Sequence, residues 1–232
     1  MTPAPIQRGI IYPQGGGASG PLSIAPRGTA QNKGVFGSLA IPAVVCTGGA
    51  LIFSVCYSNA GGPIDTVDWG GAPLSLIRQQ PTGVNSSTEI WALYGLAANT
   101  FALTVTIPLL TTAMAMCVSE VNNLAASPED KQAGASGSSG SPSSGATAVT
   151  ALAKELWWGA IGTEGPGGDA AGAWSNGFNA GQRIGTTGGV ATTNATIGEG
   201  SLIVAATGAA TAAKTGMTVR AWGAIIQTLK GN

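Results

Sequence analysis

From about Ala43 onward the chain is written in short apolar runs of period two, cut by Gly, Pro, Asn and Ser. In 101–107, FALTVTI, Phe101, Leu103, Val105 and Ile107 point one way while Ala102, Thr104 and Thr106 point the other. Half-buried antiparallel strands alternate in this way. In 50–57, ALIFSVCY, Leu51, Phe53, Val55 and Tyr57 share one face. The same signal predicts strands at 65–69, 73–79, 87–94, 112–121, 146–151, 155–163, 181–186, 190–197, 200–207 and 217–229. That many strands, with almost no helical periodicity, call for two packed sheets or a closed barrel, because a single sheet would leave an apolar face wet. The expected fold is therefore all-β: an antiparallel β-sandwich.

Two stretches break the pattern. Residues 1–34 hold five prolines and isolated apolar residues, Ile6, Ile10, Ile11, Tyr12, Leu22 and Ile24, with no sustained period. Such a segment cannot bury enough of itself to offset the entropy of ordering, so it reads as an extended N-terminal arm that orders against a partner through those six residues. The stretch 125–145, AASPEDKQAGASGSSGSPSSG, is low in complexity and reads as a Ser/Gly-rich surface loop within one β-sandwich domain spanning 35–232.

Composition sharpens the picture. Only 9% of residues are charged and the formal net charge is zero, against roughly 25% charged in an ordinary soluble domain. Copies of such a surface repel one another weakly, which suits permanent assembly. The ten Lys and Arg are scattered from Arg8 to Lys230 without forming a basic stripe, so nucleic acid is not expected as a partner. No apolar run approaches the ~18 residues of a membrane span, and MTPAPIQRGIIYP lacks the features of a secretory signal. Neither a membrane nor export is expected. Cys46, Cys56 and Cys117 show no CxxC spacing and are expected as buried free thiols of a protein made in a reducing cytoplasm.

Candidate chemistry is sparse. Histidine is absent, which removes Ser-His-Asp and Cys-His catalysis and His-ligated metals. Asp65 and Asp68 are expected on opposite faces of a strand, Glu129 and Asp130 in the loop, and Glu89, Glu120 and Glu155 on solvent-facing strand positions. None of these forms the facing pair that glycoside hydrolysis needs. GGGASG at 15–20 matches GxGxxG but lies between Pro13 and Pro21, without the strand and helix a nucleotide site requires. Glu164-Gly-Pro-Gly-Gly-Asp169 offers too few oxygens for calcium. No catalytic residue, cofactor or metal is expected. Of the adjacent Trp157 and Trp158, one should face the core and the other away. Trp174, in AGAWSNGFNAG, is the candidate platform for a sugar ring.

Several pieces, ALIFSVCYS at 50–58, VDWGGAPLSLI at 67–77, STEIWALYGLAANTFALTVTI at 87–107, AMCVSEVNNL at 115–124 and RAWGAIIQTL at 220–229, resemble a jelly-roll-like β-sandwich domain of phage virion proteins and phage-related bacterial surface proteins. In that family a strand ends in a Gly-Gly turn, and a Glu-apolar-Trp strand is followed by a Thr/Val strand. Gly70-Gly71, Glu89-Ile90-Trp91 and Thr104-Val105-Thr106 occupy those places, with Ala97-Ala98-Asn99-Thr100 departing from the family's Gly turn. The resemblance implies a jelly-roll-like, non-enzymatic structural protein of the virion, made in the host cytoplasm. It would be a capsid decoration (cement) protein or a head or tail fibre component. Expected partners are copies of itself, as a homo-oligomer such as a trimer, and a major capsid or other virion protein. The alternative is a carbohydrate-binding adhesin or receptor-binding module on a host surface glycan. Within this frame Gly70 and Gly71 are expected to turn a sheet corner rather than hold a phosphate.

Overall fold

The computed structural model describes residues 20–58, 62–83 and 86–232, with the side chains of 108–110 left aside. In chain order the strands are β1 (Ser23–Cys46), β2 (Ala50–Ser58), β3 (Thr66–Trp69), β4 (Ala72–Pro73), β5 (Ser75–Pro81), β6 (Ser86–Leu93), β7 (Asn99–Asn122), β8 (Leu124–Ser139), β9 (Lys154–Thr163), β10 (Ala171–Trp174), β11 (Asn179–Gly185), β12 (Thr196–Ala205), β13 (Lys214–Met217) and β14 (Arg220–Gly231). All the pairings are antiparallel, in sheets of seven, five and two strands that pack together as an all-β sandwich.

The larger sheet contributes two layers. Its β1 and β7 pair along their whole length, from Ser23↔Asn122 to Cys46↔Asn99, with register shifts at Lys33/Phe36, Phe36/Ser38 and Ile41/Val44. Bulges bend and twist a strand, and here they separate the ribbon into two parts with different neighbours. The far part pairs with β3 at Thr66↔Thr106 and the near part pairs with β2 at Ala50↔Val121. Between these parts lies one core, where Ile41, Val67, Trp69, Leu103 and Val105 meet Leu51, Phe53, Val55, Tyr57, Met114 and Met116. On the other side of β2, β6 and β7, a second core joins Ile52, Cys56, Ile90, Ala115 and Cys117 to Leu156, Trp158, Ile197 and Ile225 of the five-stranded sheet. The middle layer is thus covered on both faces, and ALIFSVCY is buried at every position. At Gly162 the layers come so close that an added methyl would lie 2.0 Å from Thr88 Oγ1.

The opening of VDWGGAPLSLI is a hairpin corner. Gly70 and Gly71, with φ of 61° and 91°, form a two-residue loop closed by Trp69↔Ala72. Left-handed angles at both positions are what a tight hairpin requires. The Gly71 N–H donates to Asp68 Oδ1 at 2.8 Å.

Two expected boundaries shift. Residues 23–34, assigned to the arm, form the first half of β1; Leu22 and Ile24 pack in the second core, Leu22 at 6% exposure. The scattered apolar residues of this half find their partners on β7 of the same chain, which a local period cannot reveal. Ile6, Ile10, Ile11 and Tyr12 lie outside the described residues. The stretch 125–145 is likewise no loop through Ser139, because β8 pairs with β14 from Gly231↔Leu124 to Arg220↔Ser139. Its glycines answer close cover: a methyl on Gly137 would lie 2.7 Å from the Trp222 ring, and one on Gly134 2.7 Å from Arg78 Nε.

Residues 146–151 are not a strand either. Ser144, Thr147 and Thr150 each donate their backbone N–H to a carbonyl, of Ala212, Ala210 and Gly208, and each hydroxyl accepts the N–H of that same residue at 3.0 to 3.1 Å. The spacing is three on one side and two on the other, the period of a polyproline-type segment laid along an extended one. These hydroxyl rungs bring Ala210 and Ala212 onto the outer face of the five-stranded sheet, where they pack with Phe178 and Ile226. Trp157 is half-buried against this cover while Trp158 is 2% exposed in the second core, the division expected of adjacent strand residues.

Candidate functional site

The glutamates expected on solvent-facing positions are inside. Glu89 is 1% exposed, and Glu120 and Glu155 are 0%. Alternation with apolar neighbours does place them on the second face of their strands, but in this layered fold the second face is covered as well.

Glu89 and Glu120 are each met by several donors, as a buried carboxylate should be, whereas Glu155 receives the Leu152 N–H at 3.3 Å on Oε1 and its Oε2 has no hydrogen-bond partner among the described residues. Glu120 receives Arg27 Nε at 2.9 Å, the Thr47 N–H at 2.7 Å, the Thr47 hydroxyl at 3.0 Å and the Gly49 N–H at 3.1 Å. Burial alone would raise its pKa, but the Thr47 amide and the Arg27 guanidinium outweigh that and hold it below the usual range. It fastens the β1–β2 turn to β7. Glu89 receives the Tyr57 hydroxyl at 2.6 Å, Trp91 Nε1 at 2.7 Å and Gln79 Nε2 at 2.8 Å, yet burial still pushes it up.

Glu199 lies on β12, in the Gly-flanked run IGEGSL, which carries no local mark of a buried site. It points into the second core, where Ser119 donates to its Oε2 at 3.2 Å and Gln182 at 3.5 Å, and its Oε1 has no partner. Burial lifts it to about 8. Glu155 is paired with Asp130: burial raises Glu155, whereas the Lys131 ammonium and the Ala151 N–H keep Asp130 low. Residues 130 and 155 are thus brought together although one was expected in a loop and the other in solvent.

The remaining candidates separate. Asp65 is exposed, and Asp68 caps the hairpin. Glu164 accepts from the Ser86 hydroxyl at 2.7 Å, while Asp169 pairs with Arg220 at 2.7 Å, so the turn between them does not aim both carboxylates at one point. Among the described residues no three His, Cys, Asp or Glu side chains gather as a metal-ligand group. The three thiols are free and buried, and burial pushes Cys56 up to about 12, far from a reactive thiolate.

A groove of about 360 Å³ opens on the surface, bounded by β10, β11, β12 and β13. Trp174 stands in its wall. The ring stacks on Phe178 with centroids 5.7 Å apart and 18° between planes, and it carries Lys214 Nζ 5.0 Å from its centroid. It rests on Gly200, where a methyl would lie 2.5 Å from the ring. The residue singled out as a sugar platform is therefore tied into contacts of its own chain. Arg183 lines the same groove, donating to the carbonyls of Gly167 at 2.7 Å and Asp169 at 3.1 Å.

No family model, curated protein or solved structure matches this chain.

Proposed function

We propose that this chain is a non-enzymatic structural protein of a phage particle, a capsid decoration protein or a head or tail fibre component, working through contact with its own copies and a neighbouring shell protein. The observation that carries the reading is where the charges went. Among the described charged residues only Asp65, Glu129 and Lys154 are exposed; the others are partly or wholly buried. Large apolar residues stand out instead, among them Val190 at 68%, Val35 at 66%, Val219 at 64% and Val149 at 61% exposure. A surface with little charge and outward valines resists association weakly and gains from being covered. The jelly-roll-like body and the resemblance of its strand and turn pieces to phage virion domains supply the particle context.

Light scattering on the purified chain should give a homo-oligomer that persists in high salt, because screening weakens charge contacts and not apolar ones. A monomer at every concentration would overturn the assembly reading. Residues 1–19 are assigned the additional contact, so deleting 2–19 should weaken association. The cut belongs at 19 because one at 34 would strip the first half of β1, Arg27 included. Immunogold labelling of purified virions tests the particle assignment, and unlabelled particles would remove it.

A further inference from the structure

Lys214 is a buried cation with no opposite charge paired to it among the described residues. It is 5% exposed, its ammonium donates to the Ala171 carbonyl at 2.8 Å and lies against Trp174, and none of the ion pairs among the described residues includes it. Buried lysines are rare unless paired, because an uncompensated ammonium costs much of its hydration. Burial and the nearby Arg183 guanidinium lower its pKa to about 8.

Lys214 and Arg183 both line the groove. A methyl group placed on Gly198, in the lining of the groove, would sit 3.6 Å from Lys214 Nζ, 3.9 Å from the aliphatic Cγ of Arg183 and 4.0 Å from the Ile161 carbonyl oxygen. No carboxylate pairs with Lys214 there. Glu199 follows in the strand, but its carboxyl turns to Ser119 and Gln182 in the core, and Asp169 is engaged by Arg220. The other walls are the rings of Trp174 and Phe178 with Ala171, Ala173 and Ala180.

We infer that this groove binds a small carboxylate with a compact ring body, its charged head seated over Gly198 against Lys214. An ammonium has three hydrogens, and the Ala171 carbonyl takes one, leaving donors for an incoming oxygen. A monoanion fits better than a dianion, because Arg183 already serves two carbonyls and the walls offer no further charge. A volume of about 360 Å³ is at the small end for ligand pockets and suits one ring. This binding is separate from assembly, and its failure would leave the structural reading standing.

The test is calorimetric titration of the full chain with benzoate and with glucuronate, against the uncharged matches benzamide and glucose and against inorganic phosphate. At least one carboxylate should bind, with its uncharged match and phosphate about tenfold weaker or worse. Lys214→Met removes the charge and keeps the stem. Gly198→Ala fills the seat while meeting its neighbours only at ordinary contact distance, so it should melt like wild type. Both should weaken carboxylate binding by about tenfold or more. Should Lys214→Met fail to fold, Gly198→Ala decides alone. The inference is overturned if neither carboxylate binds, if the uncharged match or phosphate binds as well as the carboxylate, or if Gly198→Ala binds like wild type.

Discussion

Glu120→Ala is expected to destabilise the protein by about 3–5 kcal/mol, the cost of breaking a buried ion pair and stranding its partners. The substitution leaves the Arg27 guanidinium, the Thr47 and Gly49 amides and the Thr47 hydroxyl without the oxygen they share. Each of those groups gave up water to reach it, and an unmet buried donor costs about 1–3 kcal/mol. Urea unfolding followed by tryptophan fluorescence measures the loss as a lower midpoint at constant slope. Adding Arg27→Ala to Glu120→Ala should cost much less than it does alone, since the two side chains act as a unit. The pH dependence has a definite sign. The folded pKa lies below the unfolded one, so this contribution is complete above the unfolded value and is lost as pH falls through the folded one. A destabilisation under about 1 kcal/mol would show that the turn is held by its backbone pairing.

Glu199→Gln should do the opposite at alkaline pH. The wild-type carboxyl is lifted to about 8 by burial, so it is protonated in the folded protein at neutrality and ionised in the unfolded chain. Its contribution is complete below the unfolded value, ~4.3, and is lost as pH rises through the folded one. Glutamine keeps the shape and cannot ionise. Between pH 5 and 9 the difference in stability should therefore move in favour of the variant by on the order of a few kcal/mol, each pKa unit being worth about 1.4. Thermal melts of both proteins across that range give the answer. A gap that stays constant with pH would mean that Glu199 is ionised in the folded state and has found donors through local rearrangement.

The strand positions were legible because period two survives in FALTVTI, where one face meets a core and Thr104 and Thr106 face away from it. It failed to disclose the layering for the opposite reason. At Ser54, Thr88, Glu89 and Ser119 the polar side chain is buried, so the chain alternates as though half wet where it is wholly dry. Polar residues can sit there because they satisfy one another, as Ser54 does for Trp158 Nε1 at 3.2 Å and Thr82 for Thr88 at 2.6 Å. Those pairings join residues distant in sequence or on different strands, and no local pattern encodes them. The same limit hid the groove. Trp174 was conspicuous as an aromatic residue in a Gly-rich stretch, but Lys214, in TAAKTGM, carries no local mark. It matters because β13 pairs with β10 and brings it over Gly198. Gly134 and Gly137 suit a surface loop by composition alone, whereas the fold uses them in β8 for clearance beneath Arg78 and Trp222.

The hydroxyl rungs at Ser144, Thr147 and Thr150 also determine how this part of the gene can change length. Inserting one residue between them would rotate the next hydroxyl off its amide and unfasten everything downstream as far as β9. Duplicating the triplet Thr147-Ala148-Val149 would return a threonine to each position and pass the slack to the connection before Lys154. Melting temperatures should therefore fall sharply for insertions of one or two residues and recover at three. Natural length variants of this segment should differ by multiples of three codons' worth of amino acids.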